Sequence, residues 1–247
     1  MKGVILAGGL GSGLYPLTHA TNKHLLPVFD RPMVYYPVET LLKAGINEIL
    51  VVTGGPHAGD FLRVLKNGKD LGIKHMEYAY QELPDGGIAD ALSLAEDFAD
   101  GQSLMVILGD NTTDADISPY VGSFNEGAQI FLKKVSDPQR FGVPVFDRPK
   151  KGKKPKIVKI EEKPEKPASQ YAVTGLYLYD SHVFDIIRGL KVSDRGQLEI
   201  AEVNNKYIEE GKLEWSEFEA FWTDAGTPAS LLKANLYWAM KRGVNLL

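Results

Sequence analysis

The chain has 247 residues, of which 44% are hydrophobic and 24% are charged, a composition typical of one compact globular domain. Its net charge of -4 provides no overall positive field, so binding to nucleic acid or to an anionic membrane is not expected. The absence of cysteine excludes disulfides, thiolate metal sites and a cysteine nucleophile.

The first residues indicate a cytoplasmic protein. The segment MKGVILAGG passes from one lysine to a short apolar run and then to glycines, which is too short for the apolar region of a signal peptide. No later run approaches the ~20 apolar residues that a membrane-spanning helix requires.

In the first half of the chain, short apolar runs alternate with amphipathic stretches, which predicts a parallel sheet covered by helices. The predicted strands are 3–6, 48–53, 75–80 and 104–108. The predicted helices run from Pro32 to Ala44 with Gly45 as the stop, from Pro56 to near Gly68, and from Gly87 to Ala99. In such a sheet, ligands bind beyond the carboxyl ends of the strands.

From about residue 128 the pattern predicts longer strands with hairpin-like joins, which would add mixed or antiparallel strands to an α/β fold. The segments are AQIFLKKV, FGVPVFD, KIVKIEEKP and YAVTGLYLYD. The basic run 147–156 is interpreted as a solvated hairpin tip rather than a phosphate site. A last helix is predicted from the cap Thr227 to about Arg242, with Gly243 ending it.

A glycine-rich turn, AGGLGSGLYPLT at residues 7–18, directly follows the first predicted strand. Its exposed backbone amides suit the phosphates of a nucleoside triphosphate, although a purely structural turn is an equal alternative. The dinucleotide-binding pattern fails because Leu14 stands where a third glycine is needed. A Walker A loop fails because Gly13 is followed by Leu14 and Tyr15.

Three charged residues near the predicted sheet edge are candidates for phosphate chemistry. Lys23 lies one short loop after the glycines and can offset phosphate charge. Asp110 follows the strand 104–108, and Asp224 lies in WTDAGT. Two separated carboxylates suit Mg²⁺, but a helix cap for Asp110 and a turn for Asp224 are the structural alternatives. Spacing alone does not show that the two carboxylates converge.

Nine segments occur in the order found in glucose-1-phosphate thymidylyltransferases, and the chain resembles a short form of that family. They are AGGLGSGLYPLT, NKHLLPVFDRPM, PDGGIADAL, LGDN, FGVPVFD, EEKP, AVTGLYLYD, RGQLEIAEVN and WTDAGT. The resemblance implies a Rossmann-like, three-layer α/β/α nucleotidyltransferase fold with a mixed central sheet. It also implies a single domain with a nucleotide-binding half (1–115), a sugar-phosphate-binding half (116–226) and a C-terminal helix (227–247).

The implied reaction is the Mg²⁺-dependent transfer of dTMP from dTTP to glucose 1-phosphate, giving dTDP-glucose and pyrophosphate for dTDP-rhamnose and other deoxysugars. Relatives are commonly homo-oligomers. A UTP-using enzyme is one alternative, because the two bases differ by a methyl group that discriminates only modestly. A catalytically silent nucleotide-sugar-binding protein is the other.

The resemblance also implies site residues throughout the chain. The nucleotide would be bound by Leu6, Gly8, Gly9, Gly11, Ser12, Gly13, Lys23, Gln81, Gly86 and Asp110. The sugar phosphate would be bound by Gly142, Glu162, Lys163 and Val173. Lys23, Asp110 and Asp224 are the implied catalytic residues, and the two aspartates are the implied metal ligands.

Gly13 departs from this family. Related enzymes carry arginine at this point of the loop, where residues 11–14 here read GSGL. The missing side chain is a fork of donors that would bridge triphosphate oxygens, so we expect binding to survive while turnover falls strongly. An inactivating substitution, a compensating cation such as Arg31 or Lys2, and a binding protein without catalysis are all compatible with Gly13.

Overall fold

The computed structural model describes residues 1–83, 85–147 and 154–245. The strands are β1 (Lys2–Ala7), β2 (Pro27–Val28), β3 (Arg31–Pro32), β4 (Glu48–Gly54), β5 (His75–Gln81), β6 (Leu104–Leu108), β7 (Asn111–Thr113), β8 (Ala128–Lys134), β9 (Gly142–Phe146), β10 (Ile157–Glu162), β11 (Tyr171–Tyr179), β12 (Leu213–Glu217) and β13 (Trp222–Asp224). The α-helices are α1 (Tyr35–Lys43), α2 (Ala58–Leu65), α3 (Ile88–Ser93), α4 (Glu96–Ala99), α5 (Ser118–Ser123), α6 (Val183–Arg188), α7 (Ile200–Glu209) and α8 (Pro228–Lys241). Short 3₁₀ turns occupy Ser12–Leu14, Lys23–Leu25, Lys69–Leu71 and Pro138–Arg140.

The centre of the fold is a seven-stranded mixed sheet in the order β12-β8-β11-β6-β1-β4-β5. Strands β6, β1, β4 and β5 are parallel neighbours, and Val4 on β1 pairs with Leu50 on β4 and Val106 on β6. Strand β11 runs antiparallel to both β6 and β8, while the edge strand β12 is parallel to β8. The predicted α/β class with a mixed sheet is therefore confirmed.

Helices cover both faces of the sheet, which is why its central strands are nearly continuous apolar runs. On β1, Val4 and Leu6 point into a core shared with α3, α4, α6 and α7. Ile5 and Ala7, one residue out of phase, point into a second core shared with α1 and α2. This alternation follows from the two-residue period of a strand, and it gives the three predicted layers.

The last helix, α8, closes a third and smaller core around Tyr36 and Trp238. Thr227 accepts a hydrogen bond from the backbone N–H of Ser230, whose hydroxyl in turn accepts one from the backbone N–H of Thr227. This reciprocal cap, followed by Pro228 at the first helical position, confirms the predicted start of the helix.

The predicted strands of the first half are all present, but the helices between them begin and end differently. Helix α1 begins at Tyr35 rather than at Pro32, because Arg31–Pro32 instead pairs with β2. The segment Gly87–Ala99 forms two helices, α3 and α4, separated at Leu94 and Ala95. Helix α2 is shorter than predicted at both ends.

The predicted hairpin 147–156 is described only at its base, because residues 148–153 lie outside the described ranges. The backbone N–H of Asp147 donates to the carbonyl of Lys156 at 2.9 Å, continuing the antiparallel pair β9–β10. Of the helices in the described part of the chain, none is long and apolar enough to cross a membrane.

Candidate active site

A cleft of about 330 Å³ opens beyond the carboxyl ends of β1, β5 and β6. One wall is formed by the glycine-rich turn and by Gln81, the last residue of β5. The opposite wall is formed by β9, β10 and β11. The cleft therefore lies where ligands of open α/β sheets bind.

The glycine-rich turn has no space for a side chain at Gly8, where it faces the cleft. A Cβ atom on Gly8 would collide with Oε1 of Gln81. The buried Gln81 amide donates to Asp90 Oδ2 at 2.8 Å and to the carbonyl of Gly87 at 3.2 Å, so its position is fixed. Gly11 has a φ of +72°, which favours glycine. The turn thus presents backbone rather than side chains to the cleft.

The two candidate carboxylates meet because β7 and β13 pair. Asn111, the neighbour of Asp110, lies opposite Asp224 in this antiparallel ladder, and the backbone N–H of Ala225 donates to the carbonyl of Asp110 at 2.8 Å. A Cβ atom on Gly226 would lie 3.2 Å from Asp224 Oδ2 and 3.5 Å from Asp110 Oδ2, so these oxygens are at most about 7 Å apart. The aspartates therefore face one point from positions far apart in sequence.

Each carboxylate is paired with a cation. Lys23 Nζ lies 2.6 Å from Asp110 Oδ2, and Arg140 Nη2 lies 2.6 Å from Asp224 Oδ2. Burial lowers the pKa of His24 to about 3, with help from the charge of Lys23, so this neighbouring imidazole is neutral. The cations that face the carboxylates are consequently the amine and the guanidinium.

The pKa values of the two aspartates shift in opposite directions. Burial alone would raise the pKa of Asp110, but the charge of Lys23 holds it well below its usual range. Burial and the negative charge of Asp110 raise the pKa of Asp224, against the opposing effect of Arg140. The structure therefore keeps Asp110 firmly ionised and leaves Asp224 as the carboxylate that protonates first.

The opposite wall brings together the residues predicted for the sugar phosphate. Gly142 pairs with Glu162 across β9 and β10, and a Cβ atom on Gly142 would lie 3.5 Å from Glu162 Oε2 and 3.7 Å from Val173 Cβ. Lys163 has a φ of 45°, and its backbone N–H donates to the carbonyl of Phe141 at 3.0 Å. Burial raises the pKa of Glu162, with the charge of Lys163 opposing the shift.

The structure places most of the predicted site residues on the surface of this single cleft. Those that line it are Leu6, Gly8, Gly9, Lys23, Gln81, Asp110, Asp224, Gly142, Glu162, Lys163 and Val173. The remaining predicted residues, Gly11, Ser12, Gly13 and Gly86, are not among the described residues that line it. A Cβ atom on Gly86 would collide with Asp90, and one on Gly13 would lie 2.8 Å from the carbonyl oxygen of Gly226. The roles of all these residues stay predictions.

Several polar residues of the cleft had no predicted role. They include Asn111, Arg140, Gln197, Glu199 and Asn204. A signal for them was present, because Arg140 directly precedes FGVPVFD, Asn111 ends LGDN, and the other three lie in RGQLEIAEVN.

The two cations suggested as replacements for a loop arginine are held elsewhere. Lys2 lies at the amino end of β1, opposite the cleft, and donates to the carbonyl of Phe98 at 2.7 Å. Arg31 is paired with Asp30 and Glu39. Neither Lys2 nor Arg31 therefore replaces the loop arginine, whereas Arg140 is a cation that does reach the cleft.

Known proteins resemble this chain over most of its length. The Nucleotidyl transferase family matches residues 2–240. A glucose-1-phosphate thymidylyltransferase of Actinoplanes sp. is 43% identical over 239 residues, which is 95% of this chain and 77% of the relative. The enzyme of the same name from Neisseria gonorrhoeae is 42% identical over 240 residues, which is 95% of this chain and 81% of the relative.

Solved structures show the same relationship. A Bacillus anthracis protein assigned as a glucose-1-phosphate thymidylyltransferase, in complex with a sucrose, is 49% identical and has a TM-score of 0.88, with 100% of this chain and 97% of that chain covered. A UDP-glucose pyrophosphorylase complexed with UDP-glucose has a TM-score of 0.84 at 21% identity, and the match covers 98% of this chain and 99% of that chain. At this identity the similarity is evidence for the fold only. The chain has the predicted nucleotidyltransferase fold and belongs to the nucleotidyl transferase family, among the glucose-1-phosphate thymidylyltransferases.

Proposed function

We propose that this protein transfers dTMP from dTTP to glucose 1-phosphate, giving dTDP-glucose and pyrophosphate, and so supplies deoxysugar synthesis such as that of dTDP-rhamnose. The observation that carries the proposal is the meeting of Asp110 and Asp224 between the glycine-rich turn and the wall formed by β9, β10 and β11. Residues 1–115 would bind the nucleotide, residues 116–226 the sugar phosphate, and 227–247 would form the C-terminal helix of the same domain.

In the proposed reaction, a phosphate oxygen of the sugar attacks the α-phosphorus of the nucleotide. The bond from this phosphorus to the bridging oxygen breaks, and pyrophosphate leaves with the electron pair. No protein nucleophile is required. The protein positions two anions that repel each other and offsets their charge, with Lys23 on the nucleotide side and Lys163 on the sugar side.

The donor set fits a magnesium ion. Mg²⁺ is usually held by one or two carboxylates and completes its octahedron with water and phosphate oxygens. Asp110 and Asp224 supply two such carboxylates. Residues 1–83, 85–147 and 154–245 contain no group of three or more His, Cys, Asp or Glu side chains placed to hold a metal, so the protein would offer only these two ligands. Asp110 and Asp224 would hold the ion, which would supply positive charge at the phosphates.

Gly13 supports the further proposal that turnover is impaired. Gly13 has no side chain, so no donor projects from this point of the turn. A UTP-using enzyme and a nucleotide-sugar-binding protein without turnover are the alternative functions. We prefer dTTP as the nucleotide substrate because the relatives at 42–43% identity named above are thymidylyltransferases, whereas the UDP-glucose enzyme is only 21% identical.

The test is pyrophosphate release with Mg²⁺ across a panel of nucleoside triphosphates and hexose 1-phosphates, alongside calorimetric binding of dTTP and dTDP-glucose. We expect the fastest release with dTTP and glucose 1-phosphate. Faster release with UTP would support the uridylyl alternative. Tight binding of dTDP-glucose without any pyrophosphate release would support the silent binding protein.

A cytoplasmic location and a homo-oligomeric state complete the proposal. The exposed face of α8 carries apolar side chains at four-residue spacing, with Leu232, Leu236 and Met240 exposed by 58%, 42% and 64%. Such a row supports packing against a second copy. Light scattering that shows only a monomer would contradict it.

A further inference from the structure

Arg140 and Lys23 each contact one oxygen of the two carboxylates that would hold a metal ion. Lys23 Nζ lies 2.6 Å from Asp110 Oδ2, and Arg140 Nη2 lies 2.6 Å from Asp224 Oδ2. Two positive and two negative charges therefore balance at the centre of the cleft. A divalent cation that binds at either Oδ2 atom must displace the contact that Lys23 or Arg140 now makes there.

Arg140 has a second partner that stays with it. Its Nη1 lies 2.9 Å from Asp137 Oδ2, and both residues belong to the same short turn before β9. The guanidinium also lies 5.0 Å from the centre of the Phe141 ring. Because Asp137 and Phe141 remain beside the guanidinium, releasing Asp224 leaves Arg140 partly neutralised and close to the cleft.

The position of Arg140 is between the two halves of the cleft. Asp224 lies on the carboxylate side, while Gly142, two residues after Arg140, pairs with Glu162 on the predicted sugar side. The side chain is 31% exposed and lines the cleft, so a change of rotamer can move its end without unfolding the turn. The reacting phosphates of the proposed reaction would meet in this space.

A metal ion and a guanidinium compete for Asp224. Two cations on one carboxylate oxygen repel each other, and Mg²⁺ requires short contacts of ~2.0–2.1 Å. A guanidinium that loses a carboxylate matches phosphate equally well, because its planar fork binds either group through two parallel hydrogen bonds. Phosphate is the anion that the proposed reaction brings to this position.

We propose that Arg140 is an exchangeable cation, which pairs with Asp224 before the substrates bind and transfers its guanidinium to the phosphate of the sugar 1-phosphate when a metal ion takes Asp224. The inference rests on the proposed function for its ligands. The proposal adds Arg140 to the substrate-binding residues. It also explains how Asp110 and Asp224 can lie close together before a metal ion binds, because Lys23 and Arg140 offset their charges.

The experiment measures metal and sugar phosphate binding separately in Arg140→Gln. Titration of the protein alone with Mn²⁺, followed by electron paramagnetic resonance, should show about tenfold tighter metal binding, because a competing positive charge has been removed. Calorimetric binding of glucose 1-phosphate, in the presence of Mn²⁺ and a non-hydrolysable dTTP analogue, should be about 10- to 100-fold weaker. Unchanged or weaker Mn²⁺ binding, or unchanged sugar phosphate binding, overturns the proposal.

Two further variants separate this role from a structural one. Arg188→Gln removes an exposed arginine that pairs with Glu96 at 2.6 Å, and both affinities should stay at the parent values. Arg140→Lys keeps the charge without the fork, so Mn²⁺ binding should match the parent while sugar phosphate binding weakens. If Arg140→Gln does not fold, as judged by circular dichroism, equal sugar phosphate binding by Arg140→Lys and the parent refutes the exchange.

Failure of the proposed function gives a different result. In that case the parent releases no pyrophosphate from any tested pair of substrates, whereas the Mn²⁺ titration still reports the competition at Asp224. Pyrophosphate release by the parent, together with unchanged Mn²⁺ binding in Arg140→Gln, counts against the exchange alone.

Discussion

Replacing Gly13 by arginine tests whether the cleft lacks a cation at the glycine-rich turn. A Cβ atom at this position would lie 2.8 Å from the carbonyl oxygen of Gly226, while ordinary contacts begin at 3.4 Å, so the two segments must separate by about 0.6 Å. Gly226 lies two residues after Asp224, and part of the displacement will reach that carboxylate. Overpacking of this kind costs ~1–3 kcal/mol in stability.

The added charge is expected to outweigh the displacement. A preorganised donor at developing phosphate charge is worth ~10²- to 10³-fold in turnover, or ~2.7–4 kcal/mol. A misplacement of ~1 Å costs up to ~10²-fold, so a smaller shift should cost roughly tenfold. Gly13→Arg should therefore release pyrophosphate about 10 to 100 times faster than the parent. Gly13→Gln, with similar bulk and no charge, should be about tenfold slower.

The assay is pyrophosphate release at saturating dTTP and glucose 1-phosphate with Mg²⁺, with thermal unfolding of each variant measured in parallel. Gly59→Ala is the stability control, since a Cβ atom there meets nothing within 4 Å and should not lower the melting temperature. Equal turnover of Gly13→Arg and Gly13→Gln would refute the reasoning, because another cation would then already neutralise the phosphates.

Three further predictions follow from the charged residues. Asp224→Asn should lower turnover at least ~10²-fold, measured as pyrophosphate release, because it removes a carboxylate that would hold the metal. Burial and the charge of Asp110 raise the pKa of Asp224, so acidification should neutralise Asp224 first and weaken Mn²⁺ binding to the protein; a profile independent of pH would contradict this. Burial alone would raise the pKa of Asp114, but hydrogen bonds from Lys241 and Tyr237 lower it. The ionised Asp114 therefore stabilises the fold at any pH above the pKa of this group in the unfolded chain. That stabilisation is lost as the pH falls through the lower pKa of Asp114 in the folded protein. Asp114→Asn should therefore lower the free energy of unfolding by ~1–3 kcal/mol at neutral pH, with a smaller difference in acid, measured by urea denaturation.

The sequence predicted the central strands well because both faces of the sheet are buried. Apolar runs such as residues 48–53 and 104–108 are of strand length and too short for a typical helix, and both form strands. The edge strand β12 (LEWSE) was not predicted, since the exposed Glu214 and Glu217 leave only two apolar residues in this segment. The start of α1 was wrong because Pro32 is taken up by pairing with Pro27, a contact that local propensity does not contain.

For the site, the family resemblance supplied residue types, while the structure supplied their arrangement. No local pattern could show that Asp110 and Asp224 converge, because they are 114 residues apart and meet through two three-residue strands. Arg140 was missed for a similar reason. Its role depends on a contact with Asp224, 84 residues later, and nothing near it in the sequence suggests that partner.

The two carboxylates converge because the two-stranded sheet of β7 and β13 is held against β11 of the central sheet. Asn111 is the residue that makes this link. Its Nδ2 donates to Asp110 Oδ1 at 2.9 Å, while its Oδ1 accepts from Trp222 Nε1 at 2.6 Å and from the backbone N–H of Gly175 at 3.0 Å. A Cβ atom on Gly175 would lie 2.6 Å from Asn111 Nδ2, so glycine is needed for this approach. One buried amide thus ties β7, β13 and β11 together, and the two carboxylates keep their distance because the strands that carry them cannot move independently.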